Sequence, residues 1–363
     1  MVANLTTRLG QLTSSPAGGP YTGANKIING DMAIDQRNAG ASVTLTNTSG
    51  FPTDRFLAGS SGLTTQTFAG QQVTSTLTDS TKSLKFTIGG TGAAPAAGAY
   101  AYFSQKIEGL NCTDLLWGTV SAKAITVSFR AKYSVTGTYG ISFRNSSGDR
   151  SYIASFALTA NTDTLVTATI PGDTTGTWLT TNGIGINLFF DCGVGTTYST
   201  TAGSWQAGNL FGFTGGTKLC ATTGATAEIT NVKLEVGSIA TPFVPDDYQA
   251  SWVKCQRYYQ KYTYTQYILT GQITSTVQFL SQYTYPNGAM RSAPTITIPA
   301  QGTSPGQMYN FQSNGSSAGG TFVADGASVT NFRIYNNGNS SVVAGNASIL
   351  YGSAAVFTFD AEL

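Results

Sequence analysis

The chain contains no histidine, and that absence removes more chemistry than any single motif adds. Histidine is the usual general acid or base near neutral pH and the commonest zinc ligand, so Ser-His-Asp sites, Cys-His sites and His-ligated zinc are excluded. Charge is scarce as well. Asp, Glu, Lys and Arg make up 10% of the 363 residues, against about 25% in an average soluble protein. The net charge of +2 provides no basic stripe, so neither nucleic acid nor anionic lipid is an expected partner. The four cysteines, Cys112, Cys192, Cys220 and Cys255, stand far apart with no C-x-x-C pair, which argues against a metal ribbon or a redox motif. They read as buried reduced thiols, with a Cys192–Cys220 disulfide as the alternative. Neither a metal nor a cofactor is expected. No apolar run approaches the ~18 residues of a membrane span, so no membrane insertion is expected. Residues 1–24 lack the charged and apolar regions of a signal peptide, and a chain of this kind is expected to reach the cell exterior by lysis.

With so little charge, solubility rests on Thr, Ser, Asn, Gln and 43 glycines. Such a surface repels neighbours weakly and suits a rigid multimer or a sugar-facing surface. From about residue 25 to 245 the hydrophobic period is two. Ile125, Val127, Phe129, Ala131 and Tyr133 share one face, and Thr126, Ser128, Arg130 and Lys132 the other. Tyr139, Ile141 and Phe143 repeat the pattern after a turn at Val135–Thr138. Ile184, Ile186, Leu188 and Phe190 form a further apolar face, as do Val232, Leu234 and Val236. Many short strands with glycine-containing turns predict an all-β chain: an antiparallel jelly-roll β-sandwich, a short helix, and a second, smaller C-terminal β-sandwich.

Four segments follow. Residues 1–24, rich in Thr, Ser, Gly and Pro, read as an extended attachment arm; 25–245 as the jelly roll; 246–260 as a short helical connector; and 261–363 as a C-terminal β domain forming a distal tip. Asp246 or Asp247, following Pro242 and Pro245, can cap the helix, and Tyr248, Trp252, Cys255 and Tyr259 recur at helical spacing. In the last segment Ile273, Thr276–Phe279, Thr295–Ile298 and Val356–Phe359 look like strands, and Asn336–Ser340 like a loop tip.

Several motifs occur in a fixed order. Asn25-Lys-Ile-Ile-Asn-Gly-Asp-Met-Ala-Ile-Asp-Gln-Arg37 opens the sandwich, followed by Thr53-Asp-Arg-Phe56, Gln105–Gly109 and Trp117-Gly118. Gly137–Gly140 and Arg144-Asn with Asp149-Arg-Ser-Tyr152 look like hairpins, and Ile229–Phe243 and Lys254-Cys-Gln-Arg-Tyr-Tyr259 close the series. Together they resemble the jelly-roll modules of bacteriophage tail fibres and tail-associated receptor-binding proteins. The resemblance implies a virion protein of the tail, assembled in the host bacterial cytoplasm. It also implies a homotrimer that docks on other virion proteins through residues 1–24 and adheres to host surface polysaccharide. A virion fibre without receptor binding and a polysaccharide-cleaving tailspike are the alternatives.

Asn29, Gln36, Arg37, Asp54, Arg55 and Glu235 read as buried hydrogen-bonded struts, since a buried charge left unpaired costs several kcal/mol. Sugar binding needs aromatic faces beside amide or carboxylate groups. Trp178, Tyr198 and Trp205 in Gly/Thr-rich stretches, and Tyr309, Tyr335, Asn336, Asn337 and Asn339 in the last domain, are the candidates. No catalytic residue is assigned. A glycosidase needs two carboxylates roughly 5–10 Å apart, and nothing in the pattern of acids marks such a pair, so the chain reads as a non-enzyme.

Overall fold

The computed structural model describes residues 25–264, 267–275, 278–285, 288–298, 305–310, 315–317, 321–337, 347–352 and 355–363. The arm expected at 1–24 lies outside the described residues. The chain divides between Ser251 and Trp252 into two compact units.

The first unit is a sandwich of two sheets. One has six strands in the order β1 (Val43–Thr44), β4 (Gln66–Thr74), β5 (Lys82–Gly90), β15 (Thr226–Val236), β7 (Ile125–Tyr133) and β10 (Thr164–Ile170). The other has seven: β13 (Trp205–Ala207), β9 (Arg150–Leu158), β8 (Gly137–Arg144), β11 (Ile184–Val194), β6 (Tyr100–Glu108), β3 (Phe56–Ser61) and β2 (Ser49–Thr53). Pairing within both is antiparallel, while two short strands, β12 (Ser199–Thr200) and β14 (Gly212–Phe213), pair in parallel. The chain passes repeatedly from sheet to sheet, as a jelly roll requires. The turn expected at Val135–Thr138 joins β7 to β8, which lie in opposite sheets. It is therefore a crossover and not a hairpin, a distinction that period-two patterning cannot carry because both strands bury one face whichever sheet they join.

The alternation decides the core. Ile125, Val127, Phe129, Ala131 and Tyr133 are all fully buried, and they meet Ile141, Phe143, Leu188 and Phe190 of the facing sheet. Phe86 stacks on Phe103 at 4.4 Å between ring centroids, and Phe129 meets Phe190 edge-on at 5.1 Å, so ring pairs bridge the two layers.

The opening motif laces the ends of the sandwich together. Asn25 Nδ2 donates to Val232 O while its Oδ1 accepts from Leu234 N, and Gln105 exchanges two amide hydrogen bonds with the Ile28 backbone. Asn29 Nδ2 donates to Ile34 O and Asp54 O, and its Oδ1 accepts from Ile34 N. Gln36 donates to Asp54, the Arg55 guanidinium to Lys106 O, and Arg37 lies 4.4 Å from the Phe51 ring centre. Glu235 accepts from the Thr241 amide and hydroxyl and sits 3.2 Å from Lys233, both side chains being buried. Gly30 is demanded by close approach, because a Cβ there would fall 2.2 Å from Val232 O.

The helix α1 runs Tyr248–Gln256, shorter than the 246–260 expected, because Tyr259 already begins a strand. Asp247 Oδ1 caps it by accepting from Gln249 N at 2.9 Å. Tyr248 is exposed while Cys255 and Tyr259 are buried, so the expected aromatic stripe does not form one buried face.

The second unit holds a three-stranded sheet, β16 (Tyr259–Tyr264), β25 (Ala355–Asp360) and β19 (Thr295–Thr297). Its larger sheet has seven strands in the order β21 (Gly315–Ser317), β20 (Pro305–Asn310), β24 (Ala347–Gly352), β17 (Tyr267–Ser275), β18 (Gln278–Thr284), β23 (Asn331–Asn337) and β22 (Thr321–Asp325). Its described core gathers Tyr285, Met290, Phe332, Ile334, Phe357 and Phe359.

Candidate functional site

The outer face of the seven-stranded sheet of the first unit carries an aromatic patch that alternation itself produces. Along β6, Ala101 and Phe103 enter the core while Tyr100, Tyr102 and Ser104 point away from it. Cross-strand pairing sets Tyr102 opposite Asp191, Ser104 opposite Phe189, Ser142 opposite Phe189, and Arg144 opposite Asn187. One face therefore holds tyrosines, a phenylalanine, an arginine and small polar groups in adjacent rows.

The segment after β11 folds back over this face. Phe211 stacks on Phe189 at 5.2 Å and on Tyr198 at 5.2 Å, and meets Tyr100 and Tyr102 edge-on at 5.6 and 5.7 Å. Phe189 and Phe211 are buried, whereas Tyr100, Tyr102 and Tyr198 are only partly buried around them. Asp191 anchors the return: Gly193 N and Phe213 N donate to it at 2.8 and 3.0 Å, and Lys218 Nζ lies 3.2 Å away. Burial pushes the Asp191 carboxyl up, against the opposing pull of Lys218 and the two amides. Gly140 lets the segment approach, since a Cβ there would meet Phe213 Cβ at 2.8 Å. Ser151 Oγ donates to Gly208 O and accepts from Leu210 N, fixing the next turn.

Arg144 closes the patch. Its guanidinium lies 4.8 Å from the Phe189 ring centre and 5.9 Å from that of Phe211, and it donates to the Asn209 amide oxygen. Burial lowers its pKa, opposed by the phenol of Tyr102. Burial in turn raises the Tyr102 phenol, and the neighbouring Tyr100 adds to that effect. Chemically, the patch offers flat aromatic surface beside guanidinium, hydroxyl and amide groups, the combination that sugar rings match.

Of the aromatic residues singled out by sequence, Tyr198 joins this patch. Trp178 and Trp205 do not. With Trp117 they form an edge-to-face cluster, at centroid distances of 4.6, 5.3 and 5.4 Å, packed against the rim of the core. Each indole N–H is spent on a backbone carbonyl: Trp117 on Lys123, Trp178 on Thr175 and Trp205 on Pro171. Trp205 lies on edge strand β13, not in a loop, and pairs with Tyr152. Beside it Arg150 grips Asp173 through Nε and Nη2 at 2.7 and 2.8 Å. Burial pushes Asp173 up, but hydrogen bonds from Arg150 and Thr175 outweigh it and hold the carboxyl below its ordinary value.

In the second unit Tyr309 lies on β20, and Tyr335, Asn336 and Asn337 lie on β23, so Asn336 and Asn337 are strand and not the loop tip expected there. The side chains of those four residues and the whole of Asn339 lie outside the described residues. Sequence reasoning missed Tyr100, Tyr102, Phe189 and Arg144. The signal was present in Tyr100-Ala-Tyr102, aromatics two apart on a strand whose other face is already apolar.

A concavity of about 320 Å³ lies on the outer face of the six-stranded sheet between Arg130, Leu165 and Thr241–Phe243. There Arg130 is already committed to Asp163 at 2.9 Å. Among the described residues no cluster of three or more metal-binding side chains occurs.

No protein-family model matches the chain, and no curated protein matches it in sequence. Among solved structures it is similar in part to the enzymatically active domain of bacteriophage CBA120 tailspike protein 4, with 14% identity over 59% of this chain and a TM-score of 0.30. The match spans 21% of that tailspike chain. The family 11 carbohydrate-binding module of the cellulosomal cellulase Lic26A-Cel5E of Clostridium thermocellum is 13% identical over 56% of this chain and 100% of its own, with a TM-score of 0.27. A module described as CBM4 is 14% identical over 58% of this chain and 98% of its own, with a TM-score of 0.29.

Proposed function

We propose that the protein is a glycan-binding adhesin of a phage virion, a tail fibre or receptor-binding protein that attaches to host surface polysaccharide and does not cleave it. The observation that carries this reading is the partly buried trio Tyr100, Tyr102 and Tyr198 on a buried floor of Phe189 and Phe211, with Arg144 at its edge. Stacking on tyrosine faces binds sugars without needing charge, which fits a chain so poor in ionisable residues. The ordered tail-fibre motifs support placement in a virion, with a homotrimeric assembly and docking through residues 1–24 as parts of the same proposal. The non-catalytic reading rests on Asp191, the carboxylate beneath the patch, whose two oxygens are already engaged by Gly193 N, Phe213 N and Lys218 Nζ.

The test is binding of the purified protein to an array of immobilised bacterial surface polysaccharides, with reducing-end release measured in the same wells. Binding without release, lost in Tyr100→Ala and Tyr198→Ala, is expected. Release of reducing ends would convert the reading to a tailspike hydrolase, and no binding to any polysaccharide would leave a structural fibre. Light scattering checks the trimer.

A further inference from the structure

Arg144 stands apart from three arginines that each hold an aspartate with both a guanidinium Nε and a terminal nitrogen: Arg130 with Asp163, Arg150 with Asp173 and Arg333 with Asp325. Its own described contacts are a neutral amide oxygen on Asn209 and two aromatic faces. Among the described residues no carboxylate forms an ion pair with it, and its lowered pKa is opposed only by Tyr102. A guanidinium partly withdrawn from water and given no counter-charge is costly, and a chain that pairs three other arginines with acids has the means to pair this one.

Polar atoms packed beside it lack partners as well. Ser142, wholly buried, and Asn187, 1% exposed, share its face of the sheet, Asn187 directly across the strand pair and Ser142 two residues along β8. Among the described residues Ser142 Oγ, Asn187 Oδ1 and Arg144 Nε have no hydrogen-bond partner. Protein groups normally satisfy such atoms, and leaving three of them unmet around Arg144 gives its guanidinium no local compensation for the water it has lost.

We propose that Arg144 receives the carboxylate of an acidic sugar, so that the glycan recognised at this patch is a uronic- or sialic-acid polysaccharide. This rests on the glycan-binding reading. The tyrosines stack on the sugar rings while the guanidinium supplies the charge-assisted hydrogen bonds that select an acidic residue over its neutral counterpart.

The experiment measures affinity for immobilised oligosaccharides containing glucuronic, galacturonic or sialic acid and for the same oligosaccharides after carboxyl reduction. The intact protein is expected to prefer at least one acidic form by about tenfold, a preference that shrinks with added salt. Arg144→Gln is expected to bind acidic and reduced forms alike. Arg144→Lys is expected to retain part of the preference, which separates charge from folding. Equal binding of acidic and reduced forms by the intact protein would overturn the carboxylate assignment while leaving the glycan-binding reading in place. Failure to bind either form in any pair, together with failure on neutral polysaccharides, would remove both.

Discussion

Two aromatic clusters lie in the same sandwich and teach different things. The tryptophan cluster of Trp117, Trp178 and Trp205 packs edge to face, spends every indole N–H on a backbone carbonyl, and sits against the core. The tyrosine patch on the outer face leaves Tyr100, Tyr102 and Tyr198 only partly buried, and among the described residues no acid pairs with its arginine, Arg144. Aromatic rings in glycine- and threonine-rich sequence are common to both. What separates them is the direction of the side chain from its sheet and the fate of its polar end.

The sharpest way to break the comparison is to empty one cluster at a time. Trp117→Ala removes a buried ring and its hydrogen bond to Lys123 O, and is expected to cost about 3–5 kcal/mol in denaturant unfolding. Glycan affinity of the molecules that remain folded should not change. A Trp117→Ala protein of unaltered stability would show that the cluster is not structural. Gly30→Ala, which forces a Cβ to 2.2 Å from Val232 O, is expected to cost about 1–3 kcal/mol through displaced backbone, measured in the same way. Tyr100→Ala should reverse the first pattern, with a stability loss of about 1 kcal/mol and roughly a tenfold loss of polysaccharide binding. Unchanged binding would detach the patch from function.

Acid titration sharpens the contrast further. Asp173, beside the tryptophans, is held below its ordinary value of 3.8, so its stabilisation is complete above that value and is lost as pH falls through the lower folded value. Asp191, beneath the patch, is raised by burial, so the folded state gains relative to the unfolded one as pH falls. The stability difference between the wild type and Asp173→Asn should therefore shrink between pH 7 and about pH 3, whereas acidification should weaken the coupling of Asp191 to Lys218. Equal slopes for the two aspartates in pH-dependent urea unfolding would contradict this assignment. The smallest effect is expected from Asp114→Asn. Its ion pair with Lys26 is half open to water, with Asp114 51% exposed, and should contribute about 0–1 kcal/mol.

Much of the sandwich was legible from alternation. Ile125 through Tyr133 announced a strand with one buried face, and the structure buries those five residues completely. The jelly-roll class followed from many such runs, because a strand with one apolar face must meet another layer. The helix was legible through its cap at Asp247, though its end was not, since Tyr259 fits a helical stripe and a strand equally well. The site was less legible. Tyr198 was singled out for its loop-like context and falls in the patch, while Trp178 and Trp205 had the same context and fall at the core rim.

The sequence by itself determined the absence of histidine chemistry, the period of the strands and the inward row of each, because composition and side-chain alternation are local properties of the chain. Tertiary structure alone decided which sheet each strand joined, which aromatic rings shared a face, and whether an acid came to lie against Arg144. Those outcomes depend on partners far away in sequence: Phe211 closing over Tyr100, Asp173 reaching Arg150, and no carboxylate reaching Arg144 among the described residues. Such pairings are set by strand register and by the return of the segment after β11, which no local pattern encodes.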